Sequence, residues 1–131
     1  MDYKLKTIEI KNKKVLVMNI DNRKYQKVVS LLQSDVVADF EWYKKSLCSV
    51  LNGEQKKILG VGNLYEIEIT PEYTYIYDTL TDDDEYCAVD TNDLYNTIAN
   101  WERDYNSFIE SQYTLHSCDF SHELSGDDYN R

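Results

Sequence analysis

The stretch of this sequence richest in chemical groups combines four consecutive acids, Asp82-Asp83-Asp84-Glu85, with closely spaced tyrosines at 73, 75, 77 and 86. An acidic run can hold a calcium ion or meet a cationic surface. An EF-hand loop needs alternating acids and a glycine for its sharp turn, and this run has neither. It reads as a solvated turn or as a patch that receives a basic partner. Tyrosine buries a large rigid area and keeps a hydrogen-bonding tip, which makes it a favoured interface anchor, a role open to Tyr65, Tyr73, Tyr75, Tyr77 and Tyr86. The candidate partner-binding set is therefore Tyr75, Tyr77 and Tyr86 with Asp78, Asp82, Asp83, Asp84 and Glu85. Asp90 and Asp93, at the start of the last helical pattern, are secondary members. For the Tyr73/Tyr75/Tyr77 face the alternative is burial beneath helices, and residue type alone does not separate the two.

Catalytic constellations are sparse. The only two histidines, His116 and His122, flank Cys118 in a polar segment. Zinc sites gather four ligands, usually in close pairs, and no second pair exists elsewhere in the chain. A small metal-dependent enzyme built on this set is the weakest reading. The three cysteines, Cys48, Cys87 and Cys118, are widely spaced and odd in number, as fits apolar fillers in a reducing compartment. No nucleophile elbow, phosphate loop, dinucleotide fingerprint or H-E-x-x-H pattern occurs. General acid–base work requires a carboxyl in an apolar pocket, whereas the acids here fall in turns or on wet strand faces. The expectation is a non-enzymatic binding protein without a cofactor.

Charge narrows the partner. The 131 residues carry a formal net charge of −10. Residues 1–60 hold twelve Lys/Arg against seven Asp/Glu, while residues 61–131 hold two against seventeen. Such asymmetry points either to an interaction surface, where it speeds encounter with cations, or to a solvated acidic face whose only task is solubility. It argues against nucleic acid or an anionic membrane as ligand, since both require clustered Lys and Arg. Met1 to Lys14 is charged and lacks an apolar core, so no signal peptide is expected. No stretch approaches the ~20 apolar residues of a membrane span. The expected location is the cytoplasm.

The elements that must position these residues follow from periodicity. Leu5 to Ile10 and Val15 to Ile20 read as a hairpin through Lys11-Asn12-Lys13-Lys14. The second strand is nearly continuous in apolar residues, as for a strand covered on both faces. Asp21 or Asn22 caps a helix carrying Tyr25, Val28, Val29 and Leu32. Ser34 or Asp35 starts another, running from Val36 to Leu51 and ended by Gly53 in the left-handed region. Tyr65, Ile67 and Ile69 alternate with Glu66 and Glu68, a strand with one wet face. Thr70-Pro71-Glu72 turns the chain into the Tyr73–Tyr77 strand, and a short strand follows at Tyr86 to Val89. The last helix opens at Asp90–Asp93 and is expected to bury a broad stripe of Leu94, Ile98, Trp101, Tyr105, Phe108, Ile109 and Gln112. Its pattern fades near Tyr113, so residues 1–112 are expected to form one domain and 113–131 a loosely held tail. The order ββ-α(α)-βββ-α predicts an α+β fold: an antiparallel sheet of about five strands under two or three helices.

On these elements the chain resembles bacterial immunity proteins of the contact-dependent growth inhibition, or polymorphic-toxin, type. The likeness rests on Val50-Leu51-Asn52-Gly53-Glu54 and on Gly62-Asn63-Leu64-Tyr65-Glu66-Ile67-Glu68-Ile69-Thr70. A tyrosine-rich strand and a helix from Asp90 with a central Trp101 complete it. The patterns are loose, span about residues 1–112, and transfer no site residue. The resemblance implies a cytoplasmic, non-catalytic inhibitor in 1:1 complex with a cognate toxin, commonly a nuclease. A nuclease holds phosphates in a basic cleft, and an acidic surface can occupy it. The alternative in the same charge class is a nucleic-acid mimic that blocks a DNA-binding protein. That would need carboxylates regularly spaced over a long face, whereas here they cluster in turns.

Overall fold

A computed structural model describes residues 1–79 and 85–123, with side chains through 112. Its strands are β1 (Lys4–Ile10), β2 (Lys13–Asn19), β3 (Ile58–Val61), β4 (Tyr65–Ile69), β5 (Tyr73–Asp78) and β6 (Tyr86–Asp90). Its helices are α1 (Gln26–Gln33), α2 (Asp35–Ala38), α3 (Phe40–Leu51) and α4 (Thr91–Glu123). The expected α+β class and element order hold, with two differences of detail. The strands form two antiparallel sheets, β1-β2 and β3-β4-β5-β6, and β3 is an additional strand.

The β1-β2 hairpin pairs Ile10 with Lys13 across Lys11 and Asn12, both at positive φ (51° and 67°). Two left-handed residues make the turn whose twist suits a tight hairpin. The expectation that β2 is covered on both faces fails. Only Met18 is fully buried, with Leu16 against the core, while Val15 and all of β1 are exposed. The hairpin extends beyond the helices, which reach only its Leu16–Met18 end.

The segment expected as one helix from Val36 to Leu51 is broken at Asp39, whose extended backbone (φ −158°) ends α2. The Asp39 carboxylate then accepts the Trp42 N–H at 3.1 Å, capping α3. At the other end Gly53 is left-handed (φ 81°) as expected. Gly53 N–H donates to Val50 O and Glu54 N–H to Ser49 O, the paired bonds of a Schellman terminus. Asn22 caps a short 3-10 turn before α1, accepting from Lys24 N–H.

The helices cover one face of the four-stranded sheet. Alternation sends Tyr65, Ile67, Ile69, Thr74, Ile76, Cys87 and Val89 inward, where they meet Leu31, Leu32, Val36, Leu47, Leu94, Ile98 and Trp101. Each fully buried aliphatic chain stabilises by about 1.5–3 kcal/mol. Trp101 Nε1–H donates to Leu32 O at 2.7 Å, and the Thr74 and Thr91 hydroxyls meet at 2.9 Å. On α4 the buried stripe holds at Leu94, Ile98 and Trp101, with Tyr105 against the core, but Ile109 is exposed; the backbone continues to Glu123, past the point near Tyr113 where the sequence pattern fades. No helix among the described residues is long and apolar enough to cross a membrane.

Candidate partner-binding face

Because Thr74 and Ile76 point into the core, the intervening Tyr73, Tyr75 and Tyr77 must point out. The alternative of a helix-covered tyrosine face is thereby resolved in favour of the open side. Register defines the rows. Leu59, Glu68, Tyr75 and Ala88 lie side by side across the four strands, and Val61, Glu66, Tyr77 and Tyr86 form the next row. Tyr73 pairs with Asp90 beyond them. Leu59 and Val61 are 68% and 75% exposed and Tyr86 is 54% exposed, so the face carries apolar and aromatic surface in open solvent.

The tyrosines support one another. The Tyr75 and Tyr86 rings meet edge-on at 5.3 Å, and Tyr77 and Tyr86 lie tilted at 5.7 Å, both within the range of favourable aromatic pairs. Burial among these rings, then the nearby Glu68 carboxylate, pushes the Tyr77 phenol above its usual pKa. Glu68 pairs with Lys57 at 3.5 Å. The Glu66 carboxylate is exposed, with no hydrogen bond or ion pair among the described residues.

The other sequence-derived candidates separate. Asp78 ends β5 opposite the inward Tyr65 and in phase with Thr74 and Ile76, so alternation sets it on the helix side of the sheet rather than with Tyr75 and Tyr77. Glu85 directly precedes Tyr86, and its carbonyl accepts from Lys27 Nζ at 3.4 Å. Asp82, Asp83 and Asp84 lie outside the described residues, in the connection from β5 to β6. Asp90 caps α4 by accepting the Asp93 N–H at 2.8 Å, and the Asp93 carboxylate pairs with the Met1 ammonium group. Thus Tyr75, Tyr77 and Tyr86 are brought together, while Asp90 and Asp93 are engaged in holding α4. Tyr65 belongs to the core.

Sequence reasoning missed the residues that complete the face. Leu59 and Val61 sit on the unexpected strand β3, and Glu66 and Glu68 were recognised as a wet face but not joined to the tyrosines. The position of β3 depends on a buried carboxylate. Asp35 Oδ1 accepts the Asn63 N–H at 3.0 Å, and Oδ2 accepts those of Leu64 and Tyr65 at 3.1 and 3.0 Å. This clasp fixes the β3–β4 turn. Tyr43 packs nearby, its phenol pushed up to about 12 by burial first and by Asp35 and Asp39 next. Among the described residues no three His, Cys, Asp or Glu groups converge as a cation site. The side chains of His116, Cys118 and His122 lie outside the described set.

The chain is similar to a Bacillus cereus protein described as "Immunity protein", with 28% identity over 81 residues, which is 60% of this chain and 69% of that one. No family model matches the chain. No solved structure matches it.

Proposed function

We propose that this chain is an immunity protein that binds and neutralises a cognate toxin without catalysing a reaction. The likeness to the Bacillus cereus immunity protein supports a toxin-neutralising role. The single structural observation that carries the reading is the open face of β3-β4-β5-β6, with Leu59, Val61, Tyr75, Tyr77 and Tyr86 around Glu66 and Glu68. Exposed aromatic and apolar side chains in register, on the side away from the helices, mark a protein–protein surface. The carboxylates select a cationic one.

The toxin in this reading is a basic nuclease domain of the contact-dependent, polymorphic type, bound 1:1 in the bacterial cytoplasm. The acidic second half of the chain, which in sequence includes Asp78 and the Asp82–Glu85 run before Tyr86, steers the complex and occludes the substrate surface. Residues 1–112 suffice for binding, and 113–131 are dispensable. The test is co-expression with the product of the adjacent toxin-like reading frame, followed by affinity capture. Protection of the cells and recovery of a 1:1 complex are expected. Loss of protection together with failure to recover that partner would overturn the proposal.

A further inference from the structure

The two central carboxylates of the open face stand between two ridges of different chemistry. Leu59 and Val61 on β3 form one side, and Tyr75 and Tyr77, backed by Tyr86, form the other. Neighbouring strands are about 4.8 Å apart, and alternate residues along a strand about 7 Å apart. Glu68 and Glu66 are therefore close, unlike in partner: Glu68 is held by Lys57, and Glu66 is unmatched among the described residues. The Lys57–Glu68 pair is half-exposed and long at 3.5 Å, and ion pairs of that kind add little stability. It can be displaced.

We propose that this face recognises its partner through an arginine side chain, seated over Glu66 and Glu68 with its guanidinium against the Tyr75/Tyr77/Tyr86 ridge. The inference rests on reading the face as the toxin-binding surface and identifies what that surface selects. Guanidinium is planar, weakly hydrated and able to donate to two carboxylates while stacking on an aromatic face. An ammonium is a compact, strongly hydrated point charge, and Lys57 already supplies one at Glu68. The ridge is pre-set: Tyr75 and Tyr77 both rest on Tyr86, so less rotamer freedom is lost on binding. Phosphate-bearing ligands are disfavoured by the same two carboxylates. A second copy of this chain is the competing occupant, and its basic β1-β2 hairpin offers lysines at 4, 6, 11, 13 and 14 and no arginine.

The experiment is an NMR titration of the full chain at low salt, using capped tetra-arginine and tetra-lysine peptides as probes. Tetra-arginine is expected to shift Leu59, Val61, Tyr75, Tyr77 and Tyr86 saturably and to bind about five- to tenfold more tightly than tetra-lysine. Glu66→Gln with Glu68→Gln should abolish that preference while the inward Ile67 and Ile69 signals stay in place. Lys57→Gln should strengthen arginine binding about twofold by releasing Glu68. Equal affinity for the two peptides would overturn the assignment, as would shifts confined to Asp78–Glu85. Concentration-dependent shifts of the same face without peptide would also overturn it, giving the face to a second copy. The toxin reading fails separately: arginine selectivity without a toxin partner sinks that proposal alone, and protection without arginine selectivity sinks this one alone.

Discussion

Gly62 lies directly against the carboxylate of Asp35, so that a Cβ added there would stand 2.6 Å from Asp35 Cγ. The close approach lets the Asp35 oxygens reach three successive N–H groups, at Asn63, Leu64 and Tyr65. A carboxylate is the natural partner for converging donors, because charge-assisted hydrogen bonds are shorter and stronger than neutral ones. Asp35→Ala strands buried donors and is expected to cost about 3 kcal/mol in urea unfolding. Asp35→Asn keeps one oxygen acceptor and should cost less. Gly62→Ala must displace either the carboxylate or the turn, and its loss should approach that of Asp35→Ala. Unchanged unfolding midpoints in all three would show that the β3–β4 turn stands without the clasp.

The clasp also shows where sequence reading stops. Its acceptor is 28 to 30 residues from its donors, and the donors are backbone groups that leave no mark in side-chain type. Strand β3 was illegible for a related reason. Ile58-Leu59-Gly60-Val61 is short and holds a glycine, which strands normally disfavour. The glycine is there because Trp42 lies against it, and a Cβ at Gly60 would come 3.0 Å from Trp42 Cζ3. By contrast, β4 and β5 were legible, since their alternation is strict. Which side of β5 was open was not, because tyrosine suits a core and an interface equally. Helix packing on the Thr74/Ile76 side decided it. The break at Asp39 leaves no mark in the sequence, because Val36, Val37, Phe40 and Tyr43 keep helical spacing across it.

Separating binding from folding is the next expectation. Tyr86 is exposed and anchors both ring contacts of the face. Tyr86→Ala should weaken capture of the partner by about 2 kcal/mol, near thirtyfold in Kd, while shifting stability by less than about 1 kcal/mol. Trp101→Ala should do the reverse. Its indole is buried and donates to Leu32 O, so loss of about 3–5 kcal/mol of stability is expected. Calorimetric binding and thermal unfolding on both variants check the pair. A Tyr86→Ala variant that binds normally would remove the aromatic ridge from the interface.

Alkaline behaviour follows chiefly from two phenols, Tyr43 and Tyr3. Tyr43 is held to about 12 against an ordinary 10, chiefly by burial. Tyr3 is raised as well, by burial and by donating its hydroxyl to Asp104 at 2.5 Å. Above pH 10 the unfolded chain releases these protons and the folded chain keeps them. The unfolded state then binds fewer protons, so stability falls as pH rises from about 10 towards 12. Below pH 10 both states hold the protons and the two groups leave stability unchanged with pH. Tyr43→Phe should flatten part of the decline, which urea unfolding at pH 9, 10 and 11 measures. Absorbance at 295 nm should show late-titrating phenols in the native protein that titrate normally in urea. A single titration step common to both states would contradict the burial of Tyr43 and Tyr3.

The acidic run makes a kinetic prediction that the β3–β6 face does not. Four carboxylates at 82–85, close in sequence to Asp78 and Tyr86, act over about a Debye length, near 8–10 Å in physiological salt. Such charges steer encounter more than they hold the finished complex. Replacing Asp82, Asp83, Asp84 and Glu85 together with lysine reverses four charges and should lower the association rate with a basic partner by at least about tenfold at low salt. The dissociation rate should change far less. The salt dependence of association should shrink in the same variant, because the attraction being screened has gone. Paired Glu66→Gln and Glu68→Gln changes should behave oppositely, raising the dissociation rate with a smaller effect on encounter. Stopped-flow or surface-plasmon measurements across ionic strength distinguish these outcomes. If the lysine variant instead associates at the original rate, steering does not come from the β5–β6 connection, and the partner approaches the open sheet from the β3 side.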